Sequence, residues 1–271
     1  ALRVLVLLGS LLLPLAAGAE TLHPLPAILH VHSTFSTGDL PMDRLVMEAR
    51  ARGVEAVLLS ENYLLRVEYG LWPFRAATRV VHEEPSVLSR GVEAYLAQVS
   101  EVRRRFPEML IVPGVEVIPH YHWTGSPLTG DLTHHDLQKN LLVFGISDPA
   151  DLKRLPSTGN PYLARRTVGS LVEALPGLLV LPGLWLILVK RRRLLRVGGF
   201  TVVERRRRWL PGAPLVVLGV LALLLAFPFT EDPLSPYRPD SDLATYQSLI
   251  DQVDARGGVS VWSFPEARDA S

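Results

Sequence analysis

Short apolar runs alternate with amphipathic stretches along most of this chain. Residues 27–32 form an apolar run that closes on two histidines, and they predict a β-strand. Over 41–52, Met42, Leu45, Val46 and Ala49 fall at the i, i+3, i+4, i+7 spacing of a helix, with Pro41 at its start and Gly53 after its end. Residues 54–60 predict a second strand. A second helix is predicted over 89–105, with Val92, Tyr95, Leu96, Val99 and Val102 facing inward and Pro107 ending it. Strands are predicted over 110–117 and 141–146, and a helix over 243–256 leads into a strand over 259–262. Repeated strand–helix units predict an α/β domain whose largely parallel sheet is covered by helices. The pattern does not choose between an open sheet and a barrel. Stretches 148–161 and 231–239 carry prolines and glycine and read as connectors.

Three apolar segments stand outside this pattern. Residues 2–16 hold one arginine followed by an uncharged run, and Ala17-Gly18-Ala19 matches a cleavage pattern. Residues 1–19 are therefore expected to be a signal peptide or an N-terminal membrane anchor, with the residues after position 20 exported. Residues 209–229 run 21 positions without a charge, long enough to span a bilayer. Residues 168–189 are apolar but interrupted by Glu173, Pro176 and Pro182. Between them lie nine basic residues and a single acid, Glu204. Short basic loops stay in the cytoplasm. The expectation is a two-helix transmembrane hairpin over 167–230 with a basic cytoplasmic loop over 190–208. It would interrupt one domain, made of 20–166 and 231–271, on the periplasmic or extracytoplasmic side of the inner (plasma) membrane.

Charge agrees with this division. The chain has 28 basic and 27 acidic residues; without the loop, 19 and 26 remain, a net charge of −7. A lipid bilayer is the expected partner, and no nucleic acid is. Because the chain has no cysteine, thiolate metal sites and disulfides are excluded, and a metal must be held by His, Asp or Glu. The first residue is not Met and the last stretch stops just after a strand, so the chain is expected to be incomplete at both ends.

The chemistry starts at His30 and His32. Alternate residues of a strand share a face, so the pair predicts two imidazoles pointing one way, half of a site for zinc, iron or nickel. The competing reading is a core pair hydrogen-bonded to backbone. Five blocks then line up along the chain: His30-Val31-His32-Ser33-Thr34-Phe35-Ser36-Thr37-Gly38, Leu59-Ser60-Glu61-Asn62, Gly114-Val115-Glu116, Asn140-Leu141-Leu142-Val143-Phe144-Gly145, and the stretch from Gly257 through Ser263-Phe264-Pro265-Glu266. In this order and spacing they resemble the motifs of the PHP (polymerase and histidinol phosphatase) family of metal-dependent phosphoesterases, over about residues 27–146 and 240–271.

The resemblance implies a distorted, TIM-like β/α barrel of the PHP type, interrupted by the transmembrane hairpin, with metal ligands at the carboxyl ends of strands. Position by position, His30, His32 and Glu116 match ligands, and Glu61 stands in for an aspartate. Asn62, Asn140 and Phe264 each occupy a place where the family has histidine, and Gly38 one where some members do, so the metal motifs are partly degenerate. His120, with His122, His134 and His135, offers replacement ligands; the alternative reading is surface loop residues. Ser33 and Ser36 read as turn and hydrogen-bonding residues, and Ser60, Tyr63 and Tyr121 as residues able to line a pocket. Arg66, Arg75 and Arg79 are phosphate-clamp candidates. The function implied is a membrane-anchored metal-dependent hydrolase of the phosphoesterase class, using zinc, manganese or iron on a small phosphorylated substrate. The alternative is a catalytically degenerate binding or sensing domain with at most one metal.

Overall fold

A computed structural model describes residues 24–72, 75–206, 208–227, 229–240 and 243–264. The expected signal peptide or anchor over 1–19 and the tail 265–271 lie outside the described residues. In chain order the elements are β1 (Ala27–Val31), α1 (Met42–Ala51), β2 (Ala56–Leu59), β3 (Glu61–Asn62), β4 (Leu65–Tyr69), α2 (Arg75–Thr78) and β5 (Val80–Glu84). They continue with α3 (Val87–Arg90), α4 (Val92–Arg105), β6 (Leu110–Val112), β7 (Gly114–Val117), β8 (His122–Thr124), β9 (Thr133–His135), β10 (Leu141–Phe144) and α5 (Pro149–Lys153). The hairpin supplies α6 (Val168–Glu173), a 3-10 turn (Leu175–Leu179), α7 (Val180–Leu188), β11 (Arg191–Val197), β12 (Phe200–Arg206) and α8 (Trp209–Ala226). Last come α9 (Ala244–Asp254) and β13 (Val259–Trp262).

The three predicted helices are present, and the first two bury the faces that the spacing selected. Met42, Val46 and Ala49 of α1, Tyr95, Val99 and Val102 of α4, and Tyr246, Leu249 and Val253 of α9 pack on the sheet residues Val57, Ile111, Val115 and Val143. The helix predicted over 89–105 begins only at Val92, because Gly91 takes φ +102° and separates it from the Ser86-capped α3.

The strands depart further from expectation. Segments 56–62 and 110–117 are each cut in two, at Ser60 and at Pro113, which has no amide hydrogen to give a ladder. Their first halves form the parallel sheet β1-β2-β6, and their second halves join β13-β10-β7-β3. There β3 runs parallel to β7, but β10 is antiparallel to both β7 and β13. The largely parallel sheet expected from sequence is thus a mixed pair of sheets, stepped where two chain segments pass from one to the other. No closed barrel forms among the described residues: β1 pairs only with β2 and β13 only with β10. Closure requires every strand to be laddered on both sides.

The connector expected over 148–161 is folded into the domain. Asp148 caps α5 through the amides of Ala150 (2.7 Å) and Asp151 (3.3 Å). The buried Asn160 amide group sits 2.9 Å from the Tyr63 hydroxyl and 3.0 Å from the Leu155 carbonyl. The hairpin then leaves and returns at one point. Arg165 and Glu231 exchange two backbone hydrogen bonds, of 2.9 and 2.7 Å.

Within the hairpin, α7 and α8 meet through glycine. A Cβ on Gly183 would lie 2.8 Å from the Val216 nitrogen and 2.9 Å from the Gly212 carbonyl, and one on Gly219 would lie 2.7 Å from the Val180 nitrogen. Backbone-to-backbone approach of this kind is how helices associate where no hydrophobic force separates side chain from solvent. Both apolar segments are long and apolar enough to cross a membrane, by length and composition. Leu181, Leu188, Val217 and Leu224 stay exposed on their outer faces. Pro176 falls in the 3-10 turn and Pro182 in the first turn of α7, where no amide hydrogen is needed. The segment expected as a plain loop over 190–208 is a β-ribbon, with β11 and β12 paired antiparallel around Gly198 and Gly199 at positive φ.

Because the chain leaves and returns at hydrogen-bonding distance, replacing 167–230 by a short Gly-Ser linker should leave a cooperatively folding domain, since closing a short loop costs little. Urea unfolding followed by circular dichroism checks this. Leu249→Ala in that domain should cost about 2 to 5 kcal/mol.

Candidate metal centre

His30 and His32 converge on one carboxylate, but not by plain strand alternation. The β1–β2 register shifts between Leu29 and Val31, and His30 in the gap adopts φ +60°, the left-handed region. A non-glycine residue there costs of order 1 to 3 kcal/mol and marks a position held by its surroundings. His32 lies just beyond the last residue of β1. The loop after it folds back tightly: Gly38 donates its amide to the Ser33 carbonyl at 2.9 Å. A Cβ on Gly38 would overlap the His32 carbonyl group, which accounts for glycine at this position.

Glu116 is the point of convergence. It sits on β7 opposite Asn62 of β3 and Leu142 of β10, and it is 7% exposed. Gly114 lets β7 come close to its neighbours, since a Cβ there would strike the Leu59 carbonyl and the Phe144 ring. His30 Nε2 stands 3.4 Å from Glu116 Oε1, and His32 Nε2 3.3 Å from Oε2. Oε1 also accepts hydrogen bonds from Asn140 Nδ2 at 3.0 Å and Ser263 Oγ at 2.7 Å. Burial pushes the Glu116 carboxyl up. The nearby His32 ring, hydrogen bonds from Asn140 and Ser263, and the charge of His30 outweigh it and hold the group down at about 2.

The residues fit a divalent ion. One ligand atom from each of His30, His32 and Glu116 lies within 4.8 Å of the others. The two His–Glu distances exceed the roughly 2.7–2.9 Å of a charge-assisted hydrogen bond. His30 faces one oxygen of Glu116 and His32 the other, at separations that leave room for an ion bound about 2.0–2.1 Å from each donor. Two polar atoms here, His32 Nδ1 and Asn140 Oδ1, are buried without a hydrogen-bond partner. Two imidazoles and a carboxylate form a donor set that suits zinc, manganese or iron.

The other predicted positions divide. Asn140 and Phe264 reach the cluster: Asn140 through its bond to Glu116, and Phe264 with its ring edge-on to His30 at 5.3 Å. Asn140 precedes the reversed strand β10, so it enters from that strand's amino end. Glu61 is fully buried, and its oxygens are committed to the loop after His32. Oε1 accepts from the Ser33 amide (2.9 Å) and Ser33 Oγ (2.5 Å), and Oε2 from Ser36 Oγ (2.5 Å). Asn62 turns to Thr37 Oγ1 at 2.7 Å.

His120 is not brought to the cluster. Its Nε2 lies 2.9 Å from the Arg238 carbonyl and its Nδ1 3.2 Å from Thr158 Oγ1. It stacks on His122, which stacks on His135, and His134 meets the Trp123 ring edge-on. Arg66, Arg75 and Arg79 line a different cavity, against the base of the hairpin. Ser263 is a member of the cluster that the sequence does not single out. Its only signal is its place next to Phe264 in the final block.

This geometry has two expected outcomes. Glu116 has a folded-state pKa below its ordinary value. Its contribution to stability is therefore complete above about pH 4.5 and lost as pH falls toward 2. Acid titration of unfolding should show Glu116→Gln losing less stability than the parent across that window. Gly38→Ala should destabilise by about 2 kcal/mol or more and weaken metal binding, because His32 must shift to admit the methyl group. Thermal unfolding and metal titration read the two effects.

No family model matches the chain, and no curated protein does. Among solved structures, one described as a candidate metal-dependent phosphoesterase from Bifidobacterium adolescentis aligns with it at 15% identity and a TM-score of 0.34, over 92% of this chain and 72% of that one. At that score the likeness carries no inference about this chain's fold or chemistry.

Proposed function

We propose that this chain is a membrane-anchored, divalent-metal-dependent hydrolase of the phosphoesterase class, with one ion held by His30, His32 and Glu116. The observation that carries this is the convergence of three ligand atoms within 4.8 Å at the end of the sheets, with buried unpartnered atoms beside them. The motif order that resembles the PHP family supports the same reading. A bound divalent ion supplies Lewis acidity toward a phosphoryl oxygen. The chain's own residues set up the place for it. Asn140 and Ser263 fix the Glu116 carboxylate, His30 and His32 are turned toward it, and the Phe264 ring covers one side of His30. The substrate class is a small phosphorylated molecule.

The membrane part of the proposal rests on the two apolar helices and the basic ribbon between them. Residues 190–208 stay in the cytoplasm under the positive-inside rule, and the domain faces the periplasm or its equivalent. In intact spheroplasts, an impermeant thiol reagent should label Leu128→Cys and spare Thr201→Cys. The reverse pattern overturns the orientation.

A second reading, a binding or sensing domain that keeps one ion, is favoured by a specific set of side chains. Asn140 and Phe264 stand in histidine positions, and both oxygens of Glu61 are taken by serines. Metal analysis of the purified protein should give up to one equivalent of zinc, manganese or iron. The double variant His30→Ala/His32→Ala should lose it; equal metal in both overturns the centre. Turnover of an aryl phosphate that disappears in the double variant selects the hydrolase, and metal bound without turnover selects the binding domain.

A further inference from the structure

We propose that the cavity between the domain and the base of the hairpin binds the phosphate of an anionic phospholipid headgroup, with Arg75 as its principal contact. The inference rests on the membrane part of the proposed function and is independent of hydrolysis. The cavity measures about 810 Å³, within the range of small-molecule sites. One wall is apolar and belongs to the hairpin, through Leu175, Pro176, Leu225 and Phe227. The facing wall is charged and belongs to the domain and its connectors.

The charges are unevenly paired. Arg66 is held by Glu68 at 2.8 Å and Glu83 at 3.0 Å. Arg79 lies 3.7 Å from Glu68, and Arg238 lies 3.5 Å from Glu231. Asp232 accepts the backbone amides of Gly159 and Leu234. Arg75 has no acidic partner among the described residues. Its guanidinium lies over the Tyr237 ring, 3.9 Å from Cζ to the ring centre, and its Nε is buried without a hydrogen bond. A stacked guanidinium keeps its N–H donors in the plane of the group, where a planar or tetrahedral oxyanion is met by two of them at once. Arg75 is therefore the arginine of this wall with no acid against it among the described residues.

Position selects a lipid as the source of an anion for Arg75. The cavity lies at the end of the hairpin where the chain joins the domain, at Leu175 and Phe227. Trp72, 78% exposed, lines it, while Trp185 and Trp209 are exposed toward the other end of the helices. Eighteen helical residues rise about 27 Å, close to the hydrocarbon thickness of a bilayer. Tryptophans at both ends of such a span mark the two interfaces. Arg75 thus stands at headgroup depth, with an apolar wall beside it for the start of an acyl chain.

The test uses the full chain in a neutral detergent. It is titrated with a short-chain phosphatidylglycerol, with the matching uncharged diacylglycerol and with inorganic phosphate, and followed by tryptophan fluorescence and calorimetry. We expect phosphatidylglycerol to bind at one site and more tightly than either of the other two. Arg75→Gln should weaken it about tenfold, the loss of one charge-assisted contact, and Arg75→Lys by less. Unchanged binding by Arg75→Gln with an unaltered unfolding midpoint overturns the proposal. Inorganic phosphate binding as tightly as the lipid assigns the cavity to a free anion and overturns the lipid source. Carbonate extraction of membranes separates the two layers of argument. A chain that stays in the membrane yet binds lipid independently of Arg75 overturns this inference alone, whereas a chain released by carbonate overturns the membrane reading with it.

Discussion

A carboxylate taken out of water must be met by donors, and Glu116 draws them from three separate stretches of the chain. His30 and His32 come from the end of β1, Asn140 from the approach to β10, and Ser263 from the exit of β13. The ladders do not join β1 to β13. What draws those two edges together at this end is one side chain in the middle of the second sheet. The same convergence explains the positive φ at His30. A regular strand would have placed that ring elsewhere, and the strain is sustained because the carboxylate, Ser263 and the Phe264 ring all act on the imidazole.

The two buried glutamates have different tasks. Glu61 is saturated by the amide and hydroxyl groups of one loop, so it fastens the segment that carries His32 to β3. Glu116 is met by two imidazoles, an amide and a hydroxyl, and unpartnered atoms lie beside it. One carboxylate gives the loop its shape and the other gives the cluster its charge. In the proposed metal centre, this separates a rigid support from the donors that would hold the ion.

Much of this was legible in the residues and some of it was not. The helices α1 and α4 could be read because a period of 3.6 leaves a mark that packing then respects. His30 and His32 could be picked out because alternate strand positions share a face, and Glu116 because its block resembles a family motif. The reversal of β10 could not be read, since a four-residue apolar strand looks the same in both directions. The bulge at His30 left no mark, because nothing in Leu29-His30-Val31 departs from an ordinary strand. The ribbon β11–β12 was obscured by its charge, although Gly198-Gly199 between alternating residues is a hairpin signal. The imidazole stack around His122 depends on the pairing of β8 with β9, a contact between segments that periodicity cannot register.

The place where β13 joins the sheet has a consequence for the order of assembly. β10 ends at Phe144, and its partner on that side begins at Val259, beyond the whole hairpin. During synthesis the edge of β10 is finished long before anything exists to cover it, and an uncovered edge invites pairing with other chains. For a hairpin that enters a bilayer, β13 becomes available only after α8 has brought the chain back. Completion of the sheet then waits on insertion. Ser263 arrives with that last strand, so the hydroxyl that steadies Glu116 is in place only in molecules whose hairpin has returned to the base bridge at Arg165 and Glu231.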